Sequence, residues 1–158
     1  MNNGSNLRNS HTADNLARAF MLETQALTKY QFFAKIAKDE SYDALEKIFL
    51  SVSNDELGHA EIFYDFLLEG LTNTDMTVPS QLQIKSGNTP LNMQATIELE
   101  RFVSTVLYPE FALEAEQEGF HQIADSFHAI TAVEKRHDLQ FSELLERQKK
   151  GMLYSLPT

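Results

Sequence analysis

The sequence predicts an all-α protein, a four-helix bundle of two helical hairpins joined by a long crossover connection. Apolar residues recur at helical spacing through most of the 158 residues. The chain repeats itself at an offset of 78 residues, and its one long stretch without period, residues 71 to 89, separates the two copies. Two related hairpins packed face to face, with a link long enough to restart the second pair, form such a bundle.

The elements follow in order. Residues 1 to 14, rich in Asn and Ser, read as a mobile lead-in, with Thr12 or Asp14 available as a helix cap. The bundle is expected over 15 to 150 and a tail over 151 to 158. The first helix carries Leu16, Phe20, Leu27, Tyr30, Ala34 and Ala37 on one face, with Glu23 in the middle of that stripe. Ser41 is a candidate cap for the second helix, whose stripe reads Leu45, Phe49, Val52, Glu56, His59, Phe63 and Leu67, and Gly70 a candidate stop. Thr89-Pro90 signals the start of the third helix, which runs to about Glu118 with Gly119 as its stop. The fourth begins near His121 with Ile123, Phe127, Ile130, Glu134, His137, Phe141 and Leu145 inward, and Lys149-Lys150-Gly151 closes it.

The repeat pairs Tyr30 with Tyr108, Phe33 with Phe111, Ala34 with Ala112, Ala37 with Ala115 and Glu40 with Glu118. It continues with Phe49 and Phe127, Glu56 and Glu134, His59 and His137, Phe63 and Phe141. It slips once: Glu23 is seven residues before Tyr30, whereas its counterpart Glu100 is eight before Tyr108. At ~100° per residue, eight steps leave the two side chains roughly 80° out of line. A π-bulge between Glu100 and Pro109 would restore the alignment and remove the hydrogen bond that proline cannot donate.

Composition limits the chemistry. There is no Cys, which excludes disulfides, zinc–thiolate sites, iron–sulfur clusters and thiol catalysis. A net charge of -10 argues against nucleic acid and anionic membrane surfaces as partners. No apolar run approaches a membrane span, and the first residues lack a signal-peptide layout, so a cytoplasmic protein is expected.

Glu56-Leu57-Gly58-His59 and Glu134-Lys135-Arg136-His137 are both Glu-x-x-His. On a helix, Glu and His three apart leave one face together, the arrangement needed to hold a metal ion from a rigid element. One such match is common by chance. Two on apolar stripes, each with a further Glu on the preceding helix, are not. Four ionised carboxylates in an unfilled core would be ruinous, and two divalent cations offset them. The candidate ligands are therefore Glu23, Glu56, His59, Glu100, Glu134 and His137, and their oxygen and nitrogen donors suit iron or manganese. Tyr30 and Tyr108 lie one and two turns from these carboxylates on the same faces and are candidates to orient them. His11, His121 and His128 fall outside the site.

Residues 15 to about 154 resemble the ferritin-like domain of a rubrerythrin. The likeness rests on Asn15-Leu16, Ala19-Phe20, Glu23, Tyr30, Phe33-Ala34, Asn54, Glu56, His59-Ala60, Phe66-Leu67, Tyr108-Pro109, Phe111-Ala112 and Glu118-Gly119-Phe120. The resemblance implies a non-haem di-iron centre, with Glu56 and Glu134 bridging, Glu23 and His59 on one iron, and Glu100 and His137 on the other. It implies reduction of hydrogen peroxide to water with electrons from a rubredoxin-type donor, and usually a homodimer. Two other activities suit the same residues: iron oxidation and storage in the ferritin manner, and dioxygen activation by an iron or manganese oxidase.

Two departures stand out. Rubrerythrins carry a further Glu one turn after the ligand matching Glu100, and here that residue is Val103. In the family that Glu trades places with the His matching His59, so His59 is expected to stay bound. Family members also commonly continue into a four-Cys module, and Lys150-Gly151-Met152-Leu153-Tyr154 resembles the stretch that leads into it. Either this protein lacks that module or the 158-residue sequence stops short of it, and within these residues the electrons are expected to come from another protein.

Overall fold

The computed structural model describes residues 6–152. Among them are helices α1 (His11–Asp39), α2 (Asp43–Leu71), α3 (Thr89–Phe102), α4 (Tyr108–Gln117) and α5 (His121–Lys149), and no strand. A π-helical turn, Val103–Leu107, joins α3 to α4, so that the two run on as one rod. The bundle thus has four rods, with residues 72–88 as the crossover. None of its helices is long and apolar enough to cross a membrane.

Every neighbouring pair of rods is antiparallel. Ser53 bonds the Leu27 carbonyl between α2 and α1, and Phe33 stacks on Phe49 further along. Phe49 meets Phe141 and Phe63 meets Phe127 between α2 and α5, the index rising on one helix as it falls on the other. The repeat becomes a pseudo-two-fold axis. Under it the Phe49–Phe141 pair maps onto Phe127–Phe63, and their ring centroids are 4.9 and 5.0 Å apart. Phe33–Phe49 and Phe111–Phe127 correspond at 5.7 and 5.6 Å. The two apolar clusters so formed are built around Tyr30, Phe49 and Phe141 on one side, and Tyr108, Phe63 and Phe127 on the other.

The same symmetry ties the hairpins at their ends. Glu40, just past α1, accepts the backbone N–H of Thr89 at the start of α3, at 2.8 Å. Glu118, just past α4, accepts those of His11 and Thr12 at the start of α1, at 2.9 and 3.0 Å. Each carboxylate meets the positive end of a helix in the other hairpin.

The π-turn lies where the slip in the repeat requires it, and Tyr108 N–H bonds the Val103 carbonyl across it. Several boundaries differ from the sequence expectation. α1 begins at His11, capped by Ser10, whose hydroxyl accepts the Ala13 N–H; neither Thr12 nor Asp14 is the cap. Leu7, expected in a mobile lead-in, is buried in the core. Its side chain lies where a Cβ on Gly70 would stand, 2.8 Å from Leu7 Cδ2, so Gly70 serves close approach and α2 continues past it to Leu71. Ser41 does not cap α2: it takes the left-handed conformation, φ 67°, that ends α1. Gly119, its partner in the repeat, does the same at φ 85° after α4. Asn88, not Thr89, caps α3 by accepting the Leu91 N–H. The lead-in before Asn6 and the tail after Met152, including Leu153 and Tyr154, lie outside the described residues.

Candidate metal centre

All six expected ligands come together in the middle of the bundle, contributed by four rods, and each is buried. Glu23 comes from α1, Glu56 and His59 from α2, Glu100 from α3, and Glu134 and His137 from α5. Three-residue spacing places each Glu beside its His, and the antiparallel packing of α2 on α5 sets the two motifs against each other.

The donors fall into two groups that share members. Glu23, Glu56, His59 and Glu134 offer atoms all within 4.8 Å of one another, and so do Glu56, Glu100, Glu134 and His137. His59 Nδ1 is 2.9 Å from Glu134 Oε1 and 3.4 Å from Glu56 Oε2. His137 Nδ1 is 3.1 Å from Glu56 Oε1, 3.2 Å from Glu134 Oε2 and 3.6 Å from Glu100 Oε2. Glu56 and Glu134 each aim one oxygen at either imidazole, as bridging carboxylates would.

The donor set fits two metal ions. Glu23 Oε2, Glu56 Oε1, His59 Nδ1 and Glu134 Oε1 are buried without a well-directed hydrogen bond, although polar atoms are close. Atoms that approach without aligning on one another, and converge on a common space, suit a cation between them. Ions of this class take nitrogen and oxygen at about 2.0–2.2 Å, which puts adjacent donors about 3 Å apart, as here. The absence of sulfur is compatible with iron and manganese alike.

Without metal the carboxylates divide into two pairs. Burial, then the charges of Glu56 and Glu134, holds Glu23 well above the usual carboxylate range, and burial with the charge of Glu134 does the same for Glu100. For Glu56 and Glu134 burial also works upward but is outweighed by contacts with Glu23 and Glu100 respectively and with both imidazoles, so both are lowered. Burial would lower the imidazoles, yet Glu134 and Glu56 lift His59 to about 9. His137 is raised further by Glu100, Glu134 and Glu56. The metal-free cluster is therefore a store of protons that metal must displace.

Tyr30 and Tyr108 both reach the cluster, but with a different pairing from the one their helix spacing suggests. Tyr30 of α1 donates to Glu100 of α3, and Tyr108 of α4 donates to Glu23 of α1. Burial, followed by the nearby carboxylates, pushes both phenols up, so each keeps its proton and remains a donor. The crossing follows from the antiparallel register of α1 against the α3–α4 rod. His121 instead pairs with Glu116 at the surface, and His128 is exposed.

The sequence reading missed Asp55, whose Oδ2 lies 2.9 Å from His137 Nε2. It also missed the Arg101–Asp138 pair, with nitrogen–oxygen distances of 3.0 and 2.8 Å, next to ligands on α3 and α5. The signal was present as a break in the repeat: Asp55 corresponds to Val133.

The model of the rubrerythrin family matches residues 14–145. The chain belongs to the rubrerythrin family. It is 36% identical to rubrerythrin-1 of Clostridium acetobutylicum over 94% of this chain and 76% of that protein. It is 34% identical to the rubrerythrin of Porphyromonas gingivalis over 94% of this chain and 72% of that protein. The fold matches solved structures of nigerythrin in partially reduced and fully reduced states, with TM-scores of 0.79 and 0.77 at 23% identity over 93% of this chain and 76% of those chains. This is a rubrerythrin-family protein of the ferritin-like fold, a family that binds a di-iron centre and is generally oxidoreductase, and its buried Glu and His groups could bind metal.

Proposed function

We propose that this rubrerythrin-family chain is a cytoplasmic non-haem di-iron peroxidase that reduces hydrogen peroxide to water with electrons from a rubredoxin-type donor protein. The observation that carries the reading is the sharing of Glu56 and Glu134 between two buried Glu–His groups. Glu23 and His59 complete one position, and Glu100 and His137 the other. Two ferrous ions, if held there, would supply the two electrons that, with two protons, reduce peroxide to two waters.

The protein's own residues set the conditions. The two Tyr hydroxyls hold Glu23 and Glu100 by one oxygen each, and the other oxygen of Glu100 lies 3.6 Å from His137 Nδ1. Aromatic layers of Phe49 with Phe141 and Phe63 with Phe127 close the space above and below and exclude water. Small oxidants suit a site so enclosed. A half-exposed apolar stripe of Leu50, Leu57, Tyr64 and Leu68 along α2 supports a dimer.

Stopped-flow mixing of the anaerobically reduced, iron-loaded protein with peroxide and with dioxygen separately tests the proposal. Oxidation by peroxide is expected to be the faster of the two. A rate no greater than that of free ferrous ion would sink the peroxidase reading.

One feature favours a second reading. Val103 is buried in the π-turn, where the resemblance implies a carboxylate, and an apolar group there leaves room for dioxygen beside the metals, whether iron or manganese. A faster reaction with dioxygen than with peroxide would support an oxidase. Uptake of iron far beyond two per chain by a large hollow oligomer would point instead to ferritin-like storage.

A further inference from the structure

The two halves of the centre match in their donors but not in what stands behind them. His137 presents Nδ1 to Glu56, Glu100 and Glu134, and its other nitrogen faces Asp55. An Nε2–H donated to that carboxylate leaves the Nδ1 lone pair for a metal and fixes the ring. In the other half Val133 stands directly before Glu134 as Asp55 stands directly before Glu56, and an isopropyl group accepts no hydrogen bond. Among the described residues none bonds His59 at Nε2.

A second brace falls on the same side. Arg101, next to Glu100, grips both oxygens of Asp138, next to His137, and Ser142 adds a bond to Asp138 at 3.1 Å. After the one-residue slip, the equivalent positions are Thr24 and Ala60. Thr24 spends its hydroxyl on the Met21 carbonyl of its own helix, and Ala60 offers no charge. Gly58, before His59, has open space where a Cβ would stand.

We infer that Asp55 is a positioning residue for His137, and that together with the Arg101–Asp138 pair it makes the Glu100–His137 position take up its divalent cation first and hold it more tightly. The Glu23–His59 position fills second. This rests on the two-metal reading of the site. The physical ground is preorganisation: a donor held in the binding tautomer and orientation loses less freedom on coordination, and removing such a partner costs about ten- to a hundredfold in metal affinity.

Cobalt(II), added anaerobically to the metal-free protein and followed by its visible absorption and by calorimetry, serves as the probe. Two successive binding steps in the wild type do not say which position fills first, so the variants decide. His59→Ala is expected to retain the tight first step, and His137→Ala to show a first step at least about tenfold weaker. Asp55→Ala is expected to weaken the wild-type first step about ten- to a hundredfold, and Asp55→Asn, which keeps an oxygen acceptor, to restore it. Equal first steps in the two His variants would overturn the order of filling. A first step unchanged in Asp55→Ala, or as weak in Asp55→Asn as in Asp55→Ala, would overturn the positioning role. Should Asp55→Ala fail to fold, as read from melting of the metal-free form, Val133→Asp decides: a tighter second step supports the account and an unchanged one overturns it. No cobalt uptake by the wild type would remove the metal-centre reading itself, whereas two ions taken up with no difference between the His variants removes only this inference.

Discussion

Tyr108 on α4 donates its hydroxyl proton to Glu23 on α1, and Tyr30 on α1 returns the same bond to Glu100 on α3. Each hairpin thereby holds a carboxylate of the other. Replacing either Tyr by Phe keeps the ring in its aromatic cluster and strips one oxygen of its donor. Tyr30→Phe and Tyr108→Phe are expected to leave the metal-free fold intact and to weaken metal binding about ten- to a hundredfold. Competition with a chelator of known affinity measures this.

Val103→Glu places a carboxylate at a position almost fully buried. In the metal-free protein an added buried carboxylate is expected to destabilise the fold by about 3 kcal/mol or more. Metal ions offset that charge, so part of the loss should return on loading. Urea unfolding with and without ferrous ion checks both halves, and the peroxide reaction of the loaded variant is expected to accelerate.

The metal-free cluster sets a pH dependence of stability. Glu23, Glu100, His59 and His137 all titrate higher in the fold than in the unfolded chain. Groups raised on folding contribute stability that is fully present below the unfolded value and lost as pH rises through the folded one. For His59 that window runs from the ordinary 6.5 to about 9. The metal-free melting temperature is expected to fall across it, while the loaded protein, its imidazoles already deprotonated, is spared. Loading at neutral pH should release protons, measurable with an indicator dye.

Glu118 works in the opposite sense. Burial pushes its carboxyl up slightly, but the backbone N–H groups of Thr12 and His11 hold it below the ordinary 4.5. A lowered group contributes stability that is present above the unfolded value and lost as pH falls through the folded one. Glu118→Gln is expected to cost about 0.5 kcal/mol at neutral pH, a helix-terminus charge effect already reduced by solvent screening. The difference from wild type should shrink as pH falls below the ordinary 4.5 and vanish in strong acid. Paired thermal melts at neutral pH and in acid test it.

The bundle, the meeting of the six candidate ligands and the π-turn were legible because each leaves a mark on the chain itself. The stripes show the helices, the doubled Glu-x-x-His marks the centre, and the one-residue slip between Glu100 and Tyr108 demands a bulge. What was not legible depends on tertiary register. Spacing along one helix places Tyr30 near Glu23, yet the antiparallel packing of α1 on the α3–α4 rod delivers it to Glu100. Ser41 has the chemistry of a cap, but its place in the repeat opposite Gly119 marks it as the residue that ends α1. Asp55 escaped notice because the repeat was read for its matches, and this residue matters where the match fails.

On the two-metal reading, two ions share Glu56 and Glu134 within one bundle. X-ray absorption at the iron edge of protein loaded with two irons per chain tests it most directly. A metal–metal vector of roughly 3.5–4 Å with only oxygen and nitrogen neighbours is the expected result, and its loss in Glu134→Ala should leave isolated ions. Iron with no metal neighbour in the wild type, or with the many iron neighbours of a mineral, would contradict it.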